Sequence, residues 1–369
     1  MRLALLLAVP IAIPASAQFT LQTSNTTADL RGIHNVGNGV AWASGTQGTV
    51  LRTEDGGYVW QSCSIPPGAE KLDFRGVQAF DANTAIVMSS GPGDQSRLYK
   101  TTDGCHTWKL VFINPDKDGF WDAMKATPRG GLVIGDPVNG QFPIYKSADG
   151  NLEAWDRIGE KSDFDHFKLD ISPYEGEGLF AASNSNLIGS PLMGLFFVTG
   201  GPRGAFFVYQ VWSKQGELKD PTFGSAKVSL PLAKGKSAGA FSLACSDRWS
   251  SHRKMLCLVV GGDYLQPNSS DGVAAYNSNV MKHWTPSKSQ PHGYRSSVAY
   301  DVSTKTWITV GPNGTDISSD DGHNWRPIHP SAALHESADA DRNWNALSLP
   351  YVVGPKGRIG KLDPAALKP

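Results

Sequence analysis

An octapeptide recurs along this chain at a spacing that points to a ring or stack of small β units. TEDGGYVW (53–60), TTDGCHTW (101–108) and SSDDGHNW (318–325) superpose without gaps, with Ser or Thr first, Asp third and Trp eighth. SADGNLEAW (147–155) adds one residue before its Trp, and NSNVMKHW (277–284) keeps the register with Asn279 and Met281 in the Asp and Gly places. The pattern S/T-x-D-x-G-x-x-W is turn chemistry. A short carboxylate accepts backbone N–H groups within its own turn, glycine supplies positive φ, and the Trp packs as an apolar wedge. Asp55, Asp103, Asp149 and Asp320, with Trp60, Trp108, Trp155 and Trp325, are therefore read as structural. Placed once per repeat, the aspartates lie too far apart to share a metal or a substrate.

The same strand order recurs around each octapeptide. An alternating strand precedes it, as in Arg97–Thr101 and Ile144–Ser147. Before that comes an apolar strand ending in glycine, such as VAWASG (40–45), LVIGD (132–136) and LVVGGD (258–263). Earlier still, a strand opens with an aromatic residue or Leu: LRGI (30–33), FRGV (74–77), FWDA (120–123), LFAA (179–182), FSLA (241–244), YRSS (294–297) and WNAL (344–347). Units of about 40–50 residues in this order are the signature of propeller blades. The expectation is an all-β, seven-bladed propeller of four-stranded antiparallel blades, with six blades as the alternative. The last unit stops after its third strand, Arg358–Leu362, and FTLQTS (19–24) is expected to complete it as the outermost strand. Blade four carries WSKQGELKDPTFGS where an octapeptide would stand, followed by an outer strand at Lys227–Leu230. With 40 Gly, 24 Pro and 11 Trp, the composition suits many short strands.

Arg2, the apolar run Leu3–Ile13 and the small residues Ala15-Ser16-Ala17 read as a secretory leader, residues 1–17. Residues 18–369 would then form one exported propeller domain, periplasmic or secreted, with no membrane insertion and expected to be monomeric. Lys+Arg and Asp+Glu both number 34, which gives no basic excess for nucleic acid. Four cysteines in an exported chain favour disulfides. Cys63 follows the first octapeptide and Cys105 takes the glycine place of the second, so both belong to the outer edges of adjacent blades and are expected to bond. Cys245 and Cys257 end one strand and begin the next, and are expected to pair likewise. The histidines show no metal-binding spacing, and no cofactor is expected.

These octapeptides are Asp boxes, also called BNR repeats, and a propeller built on them resembles two groups. The LRGI/FRGV openings, the glycine-ended strands and GDPV (135–138) are similar to the photosystem II stability/assembly factor-like family. That resemblance implies a non-enzymatic propeller that binds a protein subunit. More distantly the chain resembles the sialidase-like superfamily of glycoside hydrolases, which would imply an arginine triad, a Tyr/Glu nucleophile pair and an Asp acid. On that alternative Arg75, Arg295 and Arg31 or Arg203 would grip a carboxylate. Tyr294 or Tyr264 would pair with Glu177, and Asp122 or Asp136 would serve as acid.

Propeller geometry places a site at one end of the central channel, where the inner strands begin and the second strands end. Arg31, Arg75, Asp122, Tyr294 and Arg295 belong there by strand opening, and Asp94, Asp136, Arg203, Asp263 and Tyr264 by loop. The connection Gly159–Gly178 adds Asp163, His166 and Glu177. These residues are the candidates for a site that takes a protein or glycan ligand.

Overall fold

The computed structural model describes residues 18–158, 171–190, 194–211, 225–246, 256–277 and 283–367. The expected leader, Asp163, His166, Asn279, Met281 and most of WSKQGELKDPTFGS lie outside these residues. The described chain forms seven four-stranded antiparallel sheets. Blade one is typical: Leu30–Gly37 innermost, then Val40–Gly45, Val50–Thr53 and Gln61–Ser62 outermost. The inner strands of the next six blades are Phe74–Ala79, Trp121–Thr127, Leu187–Ser190, Ala238–Cys245, Ser297–Asp301 and Ala346–Ser348. Among the described residues no helix is long and apolar enough to cross a membrane.

Strand periodicity explains why the blades form a ring. Alternate side chains of a strand point to opposite sheet faces, and here each face meets a different neighbouring blade. In Val40–Gly45, Ala41 and Ala43 pack against Tyr351 and Val353 of blade seven. Trp42, between them, packs against Phe74 and Val77 of blade two. The core is accordingly divided into seven apolar layers, one per interface between blades. The boxed Trp residues are wedges in these layers. Trp108 lies in the layer between blades one and two, and Trp325 in that between blades five and six.

The turns behind those Trp residues follow from the motif. Thr53 Oγ1 donates to Asp55 Oδ1 at 2.8 Å, and the same oxygen accepts the Val59 amide at 3.0 Å. Thr101–Asp103–Thr107 and Ser318–Asp320–Asn324 repeat this arrangement. The fifth box position has φ of +90° at Gly57 and +81° at Gly322, which is the reason for glycine there. Cys105 holds the same position at +66°, and its thiol is bonded to Cys63 across the first blade junction. Cys245 and Cys257 form the second disulfide.

Phe19–Gln22 pairs antiparallel with Ile359–Leu362 and is the outermost strand of blade seven. The two flanks of this blade thus come from positions far apart in the chain, and the ring is closed by hydrogen bonds within one sheet. Two expectations are corrected. LFAA (179–182) is not an inner strand; that place belongs to Leu187–Ser190. The inner strand of blade six begins at Ser297, beyond Tyr294 and Arg295.

The Cys63–Cys105 bond closes a sequence separation of 42 residues across an interface between blades. Chain entropy for a loop of that size corresponds to about 4 kcal/mol. The Cys63→Ser/Cys105→Ser variant is therefore expected to lose up to that much in equilibrium denaturation. A variant as stable as the parent would show that blades one and two need no covalent tie.

Candidate functional site

Four inner strands share a local irregularity, at the second residue in blades one, two and three and at the fourth in blade five. The register slips between Leu30 and Gly32, Phe74 and Gly76, Trp121 and Ala123, and Ala240 and Ser242. A bulge leaves one residue out of the ladder and re-aims its side chain. Those residues are Arg31, Arg75, Asp122 and Phe241, from blades one, two, three and five. Glycine at the end of the second strand makes room for the crowded backbone. A Cβ at Gly45 would lie 2.3 Å from Asp29 O, and one at Gly135 would lie 2.2 Å from Phe120 O.

The channel below this mouth is plugged. The segment 179–186 crosses it instead of forming a strand. Ala181 O accepts from Arg75 Nη1 at 3.1 Å, and Asn184 Oδ1 accepts the Met124 amide at 2.7 Å. Ser183 donates to Ser296 O at 2.7 Å, and Ser185 O accepts the Leu243 amide at 2.8 Å. One short segment thus bonds to blades two, three and five and to the lead-in of blade six. Its Phe180 stacks on Phe241 with ring centroids 4.0 Å apart. Small residues are needed opposite it, since a Cβ at Gly76 would lie 3.0 Å from Asn184 Oδ1.

Above the plug the mouth has two halves. On blades one to three, Arg75 Nε donates to Asp73 Oδ2 at 2.8 Å, and Arg31 Nε lies 3.9 Å from Asp73 Oδ1. All three side chains are between 22% and 30% exposed. Arg75 also covers the Phe120 ring at 5.9 Å. Beneath them Asp122 is buried, with Oδ2 lacking a hydrogen bond among the described residues. Burial first, and then the charge of Asp136, push its pKa well above the carboxylate range, against the opposing pull of Arg75. Asp136 accepts the Leu179 amide at 2.9 Å and is itself pushed up by burial. On the other half, Phe241 meets Tyr294 edge-on at 4.7 Å and Tyr264 at 6.2 Å. Tyr294 is buried and its pKa is raised, mainly by burial, while Arg31 pulls it down from across the mouth. Tyr264 is exposed.

The other candidates are engaged elsewhere. Arg295 is fully buried, donating through Nε to Asp316 Oδ2 at 2.8 Å and through Nη1 to Asn313 Oδ1 at 2.5 Å. Glu177 is buried, bonded to Lys227 and to Thr199 Oγ1, the latter at 2.6 Å. Arg203 stands over the Tyr174 ring at 5.1 Å. Asp263 accepts the Leu265 amide at 3.0 Å, and Asp94 faces Arg97 at 3.5 Å. Arg31 and Arg75 therefore meet at one carboxylate, but Arg295 and Arg203 do not join them, and no hydrogen bond links Glu177 to the side chain of Tyr264 or Tyr294 among the described residues. Sequence reasoning missed Asp73, Phe120, Phe180 and Phe241. For Asp73 a signal existed, because ADLRG (28–32) and LDFRG (72–76) both place an Asp two residues before the arginine.

No protein-family model matches the chain, and no curated protein matches its sequence. Solved structures do match in fold. YCF48 bound to a D1 peptide aligns with a TM-score of 0.59 at 16% identity, over 94% of this chain and 97% of that one. YCF48 from Cyanidioschyzon merolae gives 0.59 at 17%, over 95% and 100%. The extracellular domain of a hybrid two-component system from B. thetaiotaomicron gives 0.58 at 11%, over 94% of this chain and 40% of that one. At these identities the likeness is one of fold. It agrees with the resemblance to assembly-factor propellers read from the sequence.

Asp122 offers a direct check of the mouth's electrostatics. An acid whose folded pKa is raised binds more protons folded than unfolded, so stability falls as pH climbs from the ordinary carboxylate value toward the folded one. Each unit of elevation costs about 1.4 kcal/mol at pH above both values. Asp122→Asn is expected to be more stable than the parent at pH 7 and to flatten that decline in urea titrations across pH 4–8. A less stable Asn variant would mean that Asp122 is held ionised.

Proposed function

We propose that this chain is an exported, non-enzymatic binding propeller that recognises a segment of a protein partner at the plugged mouth of its channel. The observation that carries the reading is the pairing of Arg31 and Arg75 on adjacent bulges around one partly exposed carboxylate, Asp73. Arg31 has no hydrogen bond to its terminal nitrogens among the described residues, so its fork is available. Guanidinium forks grip carboxylates bidentately. Opposite them, Tyr264 and the Phe180–Phe241 stack offer an apolar and aromatic shelf. A partner segment with an acidic side chain beside an apolar one matches both halves. Because the plug closes the channel, such a segment would lie across the mouth instead of threading it.

Two further points support the reading. Disulfides belong to oxidising compartments, which suits the leader-like residues 1–17 and two disulfides among the described residues. One structure with this fold is that of YCF48 bound to a D1 peptide, so a propeller of this build can hold a peptide. A sialidase-like hydrolase would need a third arginine at the Asp73 position, and Arg295 is committed to Asp316.

Affinity capture from the exported fraction tests the proposal, followed by binding measurements on the captured partner. The Arg31→Glu/Arg75→Glu variant, folded by circular dichroism, is expected to bind at least about tenfold more weakly, a loss of about 1.4 kcal/mol. The loss should shrink as salt rises. Undiminished binding by the variant would overturn the placement of the site. Turnover of sialosides or β-glucosides that disappears in Arg75→Ala would overturn the non-enzymatic reading.

A further inference from the structure

Below the plug, three inner strands bring polar side chains to the channel in one register, two residues beyond the residue that follows each bulge. They are His34 of blade one, Gln78 of blade two and Lys125 of blade three. His34 Nδ1 accepts the Ala79 amide at 3.2 Å, which leaves the hydrogen of a neutral ring on Nε2. The ring is held neutral, because burial first and then the charge of Lys125 push its pKa down to about 4. Nε2 lies 2.6 Å from the Gln78 side-chain amide. The atom at that distance is Gln78 Nε2; because a ring N–H must be met by an acceptor, we assign the amide with its oxygen toward His34 and its NH2 turned away. Gln78 is buried.

Lys125 is the charge in this compartment. Its ammonium has no ion pair or hydrogen bond among the described residues. Burial alone lowers its pKa, and no carboxylate acts on it. Lys125 is half-buried, and a charge drawn partly out of water is normally paired. Among the described residues no carboxylate answers this charge. Asn184 of the plug bonds to the Met124 amide, next to Lys125.

We infer that the channel beneath the plug is a binding well for a compact oxyanion, held by the Lys125 ammonium and the Gln78 amide and reached from the face opposite the mouth. Phosphate, sulfate and small carboxylates share the chemistry the well selects: negative charge with several acceptor oxygens in a small volume. The well faces away from Arg31 and Arg75, so it stands apart from the protein-binding reading of the mouth.

Lysine-directed labelling with mass-spectrometric mapping tests the well on the full chain. Inorganic phosphate, sodium sulfate and sodium acetate are the probes, against sodium chloride at matched ionic strength. With phosphate at ten times the dissociation constant from a thermal-shift titration, labelling of Lys125 is expected to fall about tenfold while surface lysines are unchanged. Comparing the three probes tells a phosphoryl group from a carboxylate. Phosphate should raise the melting temperature of the parent and of Lys125→Arg, but not of Lys125→Met; Gln78→Leu should weaken the rise. Labelling of Lys125 that none of the three oxyanions reduces, in a folded chain, would overturn the proposal. So would a phosphate-induced rise that persists in Lys125→Met.

Discussion

The interface between neighbouring blades is the constraint on which the rest of the structure depends. A four-stranded sheet with two apolar faces cannot remain in water by itself, and here each face is covered by the next blade. The alternation that sends Ala41 and Ala43 one way and Trp42 the other gives every blade two neighbours. A row of such sheets stays open at its ends unless it closes, and an open end would expose both an apolar face and an unpaired strand edge. The pairing of Phe19–Gln22 with Ile359–Leu362 completes the last sheet. Phe19 then joins Trp344 and Ile308 in the layer between blades six and seven.

Closure in turn creates the site. A ring of seven blades leaves an axial space, and the irregular blade four fills it. The entry from Leu179 to Asn186 is held by serine and asparagine bonds to several blades, so the mouth has a floor fixed by the same ring that surrounds it. Bulges at Arg31, Arg75, Asp122 and Phe241 then turn side chains over that floor. The burial that packs the blades also raises the pKa of Asp122, beneath the pair of arginines, Arg31 and Arg75, that face Asp73.

What was legible in the sequence was whatever repeats. The recurring octapeptide, the glycine-ended strand and the strand opening each express one local rule, so blade number, strand order and the closing strand could be read from them. Both disulfides could be placed, because Cys63 and Cys105 occupy known positions of the repeat and Cys245 and Cys257 end one strand and begin the next. Departures from the repeat were not legible. LFAA at 179–182 looks like FRGV by pattern, yet it leads the segment 179–186, whose backbone and side-chain bonds to blades two, three and five and to the lead-in of blade six periodicity does not reveal. YRSS likewise resembles FRGV, but Asp316, two strands away, draws Arg295 into the blade instead of the mouth. Phe180 and Phe241 looked like ordinary strand openings; their stacking over the channel depends on the diverted segment.

Native-state hydrogen exchange in mild denaturant addresses the dependence on closure most directly. If the seven layers stand or fall together, residues 19–22 and 359–362 open with the same free energy as Val50–Thr53 and the other inner and middle strands. Exchange of residues 19–22 at a distinctly lower opening free energy, with the remaining blades still protected, would contradict the account and show that the ring holds without its closing strand.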